Sequence, residues 1–330
     1  MNKILTVSVA LYNLEKLIST NLESFVKSKY YEKIEVLVTD DGSTDSSTEI
    51  VEKFQEKYPE CIKLIKQKNA GPGSTVNSGI KNATGKYFMM VDGDDWVNTE
   101  NLNKLVEKLE ELEVDLVIAD YKEYNEKNNK IEKVVSFKKI KANSILEFSS
   151  IANKISLSMH ATIYKTELFQ RNELVLDKCF YTDVEYVLLP IPFVKTCYYF
   201  NNDIYMYRIG RDGQSVNLKS MQKNIKMHDM VFKNMLIYYE ENKNLLDKNA
   251  RSFVMNRLTE MSWAEIIVFL SYVDIEDAKK ETKVFLDYIK STSPELDRRV
   301  NKNVKIKLIR KPKMFLMMSK LIKRKYNIEQ

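Results

Sequence analysis

Asp92-Gly93-Asp94-Asp95 places three carboxylates at the end of an apolar run, Tyr87 to Val91. Like charges this close repel unless a cation sits among them. Hard carboxylate oxygens suit Mg²⁺ or Mn²⁺, ions that keep positions open for water and substrate phosphates. The same residues can also be read as an acidic turn capping a helix that begins near Asn98 or Thr99, since Asp-Gly-Asp is ordinary turn chemistry. A second acidic loop, Asp40-Asp41-Gly42-Ser43-Thr44-Asp45, follows another apolar run. Ser43 or Asp45 as a helix N-cap accounts for part of it but not for both Asp40 and Asp41. An acceptor-only carboxylate at a strand end can take the imino N–H of uracil. A third loop, Lys68-Asn69-Ala70-Gly71-Pro72-Gly73, allows close backbone approach to a ligand, with Ser74 expected to open the next helix. It lacks the third glycine of the dinucleotide pattern, which argues against a nicotinamide dehydrogenase.

The elements that must position these loops are legible as alternating patterns. Strand-like runs at 4–10, 34–39, 62–65, 87–91 and 115–119 alternate with helical spacing over 14–25, 45–58, 74–82 and 102–112. Strand, helix, strand in repetition predicts a parallel sheet, and open parallel sheets bind ligands at the carboxyl ends of their strands. The three loops above and the turn at 11–13 all fall at that edge. The Lys/Asn/Glu-rich stretch 123–133 reads as a solvated hairpin or loop and a candidate boundary. From Met221 to Tyr288 the spacing is helical.

The 330 residues, 44% hydrophobic and 30% charged, are a globular composition. Cys61, Cys179 and Cys197 form no CxxC pair and only His160 and His228 accompany them, against structural zinc or a disulfide framework. Ile4 to Ala10 is too short for a signal-peptide core, so a cytoplasmic location is expected and the sequon Asn82-Ala83-Thr84 is read as chance. The net charge of +6 belongs to the tail: residues 301–330 hold ten Lys/Arg and one Glu, leaving −3 on the rest.

Four elements in order resemble family 2 glycosyltransferases of the GT-A fold: residues 7–13 (Val-Ser-Val-Ala-Leu-Tyr-Asn), the Asp-Asp-Gly-Ser-Thr-Asp loop, residues 69–79, and Gly85-Lys86-Tyr87 leading into the acid turn. The resemblance is firm over roughly 4–120 and looser to about 215. It implies an α/β, Rossmann-like, mostly parallel sheet flanked by helices, with a helical C-terminal region. The domains expected are a nucleotide-sugar-binding half (1–120), an acceptor-side half (121–215), a helical region (216–300) and a basic amphipathic tail (301–330).

Its implications for function are an inverting transfer from a UDP-sugar to a glycan or lipid-linked acceptor in cell-surface polysaccharide synthesis, with Mn²⁺ or Mg²⁺. The backbone of Ala10 and the ring of Tyr12 are expected to hold the base, with Asp41 on uracil. Asp92 and Asp94 form the metal-binding pair, with Gly93 between them in the nucleotide-sugar site. Asn69 and Asn77 stand around the nucleotide cleft, a packing role for Asn77 remaining open. Asp183 is the expected base that takes the acceptor proton. Thr182 stands where Glu is common, which keeps Glu185 as a competitor, and a helix N-cap by Thr182 or Asp183 is the plain alternative. Tyr205-Met206-Tyr207-Arg208, with Arg211 and Ser215, resembles a segment before a closing loop, and Arg208 is expected to meet the diphosphate. Many relatives carry Arg where this chain has Val76, so phosphate neutralisation leans on the metal and Arg208. His160 is a possible acceptor or donor contact.

In the tail, residues 304–326 alternate basic and apolar residues around Pro312. Such a helix suits an anionic inner leaflet, with a solvated basic helix as the alternative and nucleic acid not expected. Two rivals to the transferase reading remain: a sugar nucleotidyltransferase, disfavoured because 11–15 offers no basic Gly-rich loop, and a non-catalytic nucleotide-sugar-binding scaffold.

Overall fold

The structure, a computed structural model, describes residues 2–211, 218–326 and 328. The chain divides into two compact units, 1–212 and 213–330.

The first unit is built on ten strands: β1 (Leu5–Leu11), β2 (Ile34–Asp40), β3 (Ile62–Lys66), β4 (Tyr87–Asp92), β5 (Trp96–Val97), β6 (Leu116–Asn125), β7 (Lys130–Val135), β8 (Ile145–Glu147), β9 (Thr162–Lys165) and β10 (Thr196–Ile209). They form one sheet in the order β3-β2-β1-β4-β9-β6-β10-β5, with β7 on β6 and β8 on β10. The β3-β2-β1-β4 block and the β6-β10 pair are parallel; β9 joins them antiparallel to both neighbours. Its helices are α1 (Ile18–Val26), α2 (Ser47–Lys57), α3 (Pro72–Asn82), α4 (Thr99–Glu111), α5 (Phe148–Ile151), α6 (Thr166–Arg171) and α7 (Thr182–Leu188).

Strands β1, β2 and most of β4 are buried along their length, as a parallel sheet covered on both faces requires. Inside this core Glu35 accepts from Thr6 Oγ1 (2.8 Å), Lys63 Nζ (2.7 Å) and both the amide and hydroxyl of Thr84 (3.0 Å each). Its charge is thereby paired and its acceptor sites filled, the condition under which burial of a carboxylate is tolerated. At the opposite edge the register aligns Leu11 with Asp40, Asp40 with Lys66 and Ala10 with Asp92. Four strand ends therefore deliver their loops to one side.

Some boundaries move from those the sequence suggests. Helix α3 begins at Pro72 rather than Ser74, because Gly71 at φ +89° turns the chain and proline is already set for the first helical position. The expected solvated stretch is the β6–β7 hairpin, and β6 runs on to Asn125, through the boundary expected near 121. The expected boundary at 215 lies outside the described residues.

The second unit is helical: α8 (Leu218–Lys223), α9 (Ile225–Asn242), α10 (Lys248–Leu270), α11 (Ile275–Thr292), α12 (Pro294–Lys302), α13 (Val304–Ile309) and α14 (Pro312–Lys325). Asp247, Asp274 and Ser293 cap their helices by side-chain acceptance from backbone N–H groups. Phe232, Phe269 and Phe285 bring α9, α10 and α11 together, with ring centroids 4.8 and 5.9 Å apart. Helix α14 docks Phe315, Ser319 and Lys323, four residues apart, with Ser319 Oγ donating to Leu270 O (2.7 Å) and Lys323 Nζ to Val273 O (3.1 Å). Among the described residues no helix is long and apolar enough to cross a membrane.

Gly79 tests how closely α3 lies on β1, because a Cβ there would stand 2.1 Å from Ser8 Oγ. Helix propensity alone favours Gly79→Ala by about 1 kcal/mol, whereas overpacking costs about 1–3 kcal/mol. Net destabilisation is expected in urea unfolding; an unchanged or raised midpoint would refute this packing.

Candidate active site at the carboxyl edge of the sheet

The acid turn after β4 is the centre of this edge. One carboxylate oxygen from each of Asp92, Asp94 and Asp95 lies within 4.8 Å of the others. The turn closes by Asp95 N donating to Asp92 O (3.0 Å), and Asn21 Nδ2 donates to both Asp92 O (3.1 Å) and Asp95 O (2.9 Å). Gly93 admits no larger residue, since a Cβ would stand 2.5 Å from Ala10 O. The following helix α4 is capped by Asn98, whose side chain accepts from Asn101 N (3.2 Å). The acids are thus not needed as its cap.

Each carboxylate has a different environment. Asp95 is buried and accepts from the Tyr205 hydroxyl (2.7 Å) and Arg208 N (2.7 Å), tying β10 to the turn. Burial, then Asp94 and Asp92, hold its carboxyl well above the usual range. Asp94 pairs with the Arg211 guanidinium. Asp92 is pushed up to about 7 by burial first, then by Asp94 and Asp183, with Arg211 opposing. A group of hard oxygen donors with charge in excess of its cations fits a divalent metal ion; Asp92 and Asp94 would hold it, since Asp95 is already engaged.

Arg208, expected at a diphosphate, is buried against the turn itself. Its Nε donates to Asp94 O (2.8 Å), its Nη1 meets Glu126 (3.1 Å) and its guanidinium lies 4.8 Å from the Trp96 ring centroid. The guanidinium facing the Asp94 carboxylate is that of Arg211; Ser215 lies outside the described residues.

Asp183 sits in the first turn of α7, near enough to Asp92 to raise it. Neither Thr182 nor Asp183 is the N-cap: that position is Tyr181, at φ +75° and without a side-chain capping bond. Glu185 is buried and turned inward, accepting from Asp177 N at 3.1 Å, and is pushed up to about 8 by burial and then by Asp177.

The neighbouring loops lock together. Asp40 accepts from Ser43 N (2.9 Å) and Thr48 Oγ1 (2.5 Å), while Asp41 accepts from Gln67 Nε2 (2.7 Å), Ala70 N (2.8 Å) and Gly71 N (2.9 Å). Among the described residues these donors fill three of about four acceptor sites on Asp41. The cap of α2 is at Ser46, without a side-chain bond; Asp45 instead accepts from Ser47 N (2.9 Å) and Glu15 N (3.1 Å), and Ser43 Oγ from Asn13 N (3.1 Å). Tyr12, 50% exposed, and Asn69 present their side chains at the rim of this edge. Asn77 is occupied elsewhere: its Nδ2 donates to Leu176 O (2.8 Å) and its Oδ1 accepts from Leu176 N (2.9 Å). His160 packs among Tyr121, Tyr205 and Tyr207, stacked on the last at 4.3 Å, and burial pushes its pKa down to about 3.

The sequence places Tyr205 and Tyr207 only in a segment resembling one before a closing loop and does not single out Asn21 or Gln67. Tyr205 also accepts Asp92 N (3.1 Å), and burial first, then the charges of Asp95, Asp92, Asp94 and Asp183, raise the Tyr207 hydroxyl. The alternation of Tyr205 and Tyr207 along one strand face was the available signal.

A mixed sheet whose carboxyl edge gathers acids, a glycine turn and an exposed aromatic defines an open α/β domain with its ligand site at the strand ends. The chain belongs to glycosyl transferase family 2, whose sequence profile matches residues 6–173, just over half of its length. Glycosyltransferase GlyA of Streptococcus pneumoniae serotype 4 is 30% identical over 224 residues, which are 64% of this chain and 31% of that protein. The Staphylococcus aureus poly(ribitol-phosphate) beta-N-acetylglucosaminyltransferase TarS is 34% identical over 121 residues, 36% of this chain and 21% of that protein. The chain thus spans only a third or less of the length of these two relatives. The crystal structure of TarS 1-349 in complex with UDP-GlcNAc superposes with a TM-score of 0.68 at 20% identity, covering 98% of this chain and 91% of that one. The mannosyltransferase PcManGT of Pyrobaculum calidifontis, in complex with GDP-Man and Mn²⁺, gives 0.57 at 15% identity, covering 100% and 89%. The fold is GT-A, followed by a helical C-terminal region.

The raised carboxyl of Asp92 has a consequence for stability. A carboxyl near 7 in the folded protein and near 3.9 in the unfolded chain favours the fold at low pH and loses that contribution as pH rises through about 7. Metal-free Asp92→Asn is therefore expected to gain on the unsubstituted protein as pH rises from 4 to 8, read by thermal unfolding; parallel pH profiles would contradict it.

Proposed function

We propose that the chain is an inverting, divalent-cation-dependent glycosyltransferase that moves a hexosyl or N-acetylhexosaminyl group from a UDP-sugar to a glycan or lipid-linked acceptor in cell-surface polysaccharide synthesis. The observation that carries this reading is the approach of Asp183 to the Asp92–Asp94 pair at one sheet edge. A base and a diphosphate anchor must flank the anomeric carbon in a direct displacement. When bound, the cation supplies stabilisation of the negative charge that develops on the leaving diphosphate.

The chain's own residues supply the rest. Tyr12 stacks on the base, the remaining acceptor site of Asp41 takes the uracil N–H, and Ala10 and Gly93 keep the backbone close beneath the nucleotide. Asp183 accepts the proton of the acceptor hydroxyl as that oxygen attacks the anomeric carbon and the C–O bond to UDP breaks. Glu185, spent on Asp177 N, supports α7 instead. UDP-GlcNAc is the first donor to test, because TarS is named for N-acetylglucosaminyl transfer and was solved with that donor. Asp183→Asn is expected to lower transfer on the order of 10²–10⁴-fold, with UDP and Mn²⁺ affinity kept, in a UDP-release assay across UDP-glucose, UDP-galactose and their N-acetylated forms. Pyrophosphate release from NTP and sugar phosphate would instead identify a nucleotidyltransferase; donor binding without turnover in any acceptor extract would identify a scaffold.

The tail supports a peripheral place on the inner face of the plasma membrane. With Phe315, Ser319 and Lys323 docked, α14 still exposes Leu316, Met317 and Leu321 beside Lys313, Lys320, Arg324 and Lys325. Apolar insertion plus basic charge suits an anionic leaflet. Replacing all three exposed apolar residues by Asp should leave the fold intact and release the protein from phosphatidylglycerol vesicles in sedimentation; unchanged pelleting would refute the membrane reading.

A further inference from the structure

One side chain from a distant helix brackets the acid turn. Asn21, 0% exposed, sits within α1, and its Nδ2 donates to both Asp92 O (3.1 Å) and Asp95 O (2.9 Å), 71 and 74 residues further along the chain. The direction of the amide is fixed, because two carbonyls can be met only by its NH₂ end. Its Oδ1 is buried with no hydrogen-bond partner among the described residues.

Helix packing alone gives no reason for an amide here. Ile18, Leu22 and Phe25 of the same helix are apolar and fully buried. Asparagine is a poorer helix former than leucine or alanine, and a buried acceptor left unmade carries its desolvation cost. Local rules broken at a buried position mark a functional constraint.

The constraint is the turn that carries Asp94. Asp92 ends β4, where the register aligns it with Ala10 of β1. Asp94 follows Gly93, whose missing Cβ admits the Ala10 carbonyl and leaves the backbone permissive. The turn is closed once by Asp95 N on Asp92 O, and the Asn21 amide joins the same two residues a second time. Tyr205 meets Asp92 N and the Asp95 carboxylate, so its bonds do not replace the one that Asn21 makes to the Asp95 carbonyl. Partners behind a set of metal ligands fix the ligand orientation and tune affinity for the ion.

We propose that Asn21 is a positioning residue for the cation site: by tying the carbonyls of Asp92 and Asp95 it sets how the Asp92 and Asp94 carboxylates face one another, and touches neither ion nor nucleotide. The inference rests on the reading of Asp92 and Asp94 as the ligands of the cation. UDP affinity of the full chain, measured by calorimetry at a series of Mn²⁺ concentrations, tests it on Asn21→Leu, which keeps the volume and removes the donor. The Mn²⁺ concentration giving half of the enhancement of UDP binding is expected to rise by about 10–100-fold. UDP affinity in the absence of the ion and the circular dichroism spectrum should stay unchanged, a split that a general loosening of the fold would not produce. Asn21→Ala carries the same test if Asn21→Leu does not fold. An unchanged Mn²⁺ requirement, or an equal loss of UDP affinity with and without the ion, would overturn the positioning role alone. No enhancement by Mn²⁺ in the unsubstituted protein would instead overturn the metal reading, and this inference with it.

Discussion

Mutual repulsion among carboxylates at the end of β4 is the constraint around which the catalytic unit is organised. Three acids within one turn, with Asp183 close by, cannot all be ionised at low dielectric without compensation. The structure resolves each in a different way. Asp95 is enclosed by donors from β10, Asp94 is paired with Arg211, and Asp92 is left with a carboxyl pushed up by burial, Asp94 and Asp183. That unresolved charge is what gives the site its capacity for a cation and, through it, for a diphosphate.

The sheet makes this concentration of charge possible. Parallel strands bring four loops to one edge, and β10 returns beside β6 and β5 to place Tyr205 and the Arg208 amide on Asp95 more than a hundred residues away in sequence. Close approach is enforced by small residues: Gly93 lies on the Ala10 carbonyl, Gly73 on the Asp177 carbonyl and Gly79 on Ser8. Asp41 then holds the 67–71 loop, and Asn77 clamps the chain at Leu176 ahead of Asp183. Residues drawn from distant stretches are therefore rigidly related before any ligand arrives.

Much of this was legible locally. The buried strands β1, β2 and β4 announce themselves as apolar runs, and the acids at their ends follow from strand length alone. What periodicity could not supply was partnership across long sequence separations. Asp40 and Asp41 looked in excess of any helix cap because their donors, Thr48, Gln67, Ala70 and Gly71, come from later turns. Arg208 and Arg211 are three residues apart, and only the pairing of β10 with β6 and β5 decides which guanidinium turns to the protein and which to Asp94. The start of α3 was misplaced by two residues because a positive-φ glycine followed by proline is a stronger start than serine. In the tail, spacing revealed a basic amphipathic helix but not that Phe315, Ser319 and Lys323 form its docked face.

The central claim is that Asp92 and Asp94 hold a divalent cation against a nucleotide diphosphate. Calorimetric titration of UDP into the protein with and without Mn²⁺, repeated on Asp94→Asn, tests it most directly. The account predicts that Mn²⁺ tightens UDP binding by about tenfold or more in the unsubstituted protein and that Asp94→Asn loses this enhancement while remaining folded. Equal UDP affinity with and without the ion, or full enhancement in Asp94→Asn, would contradict it.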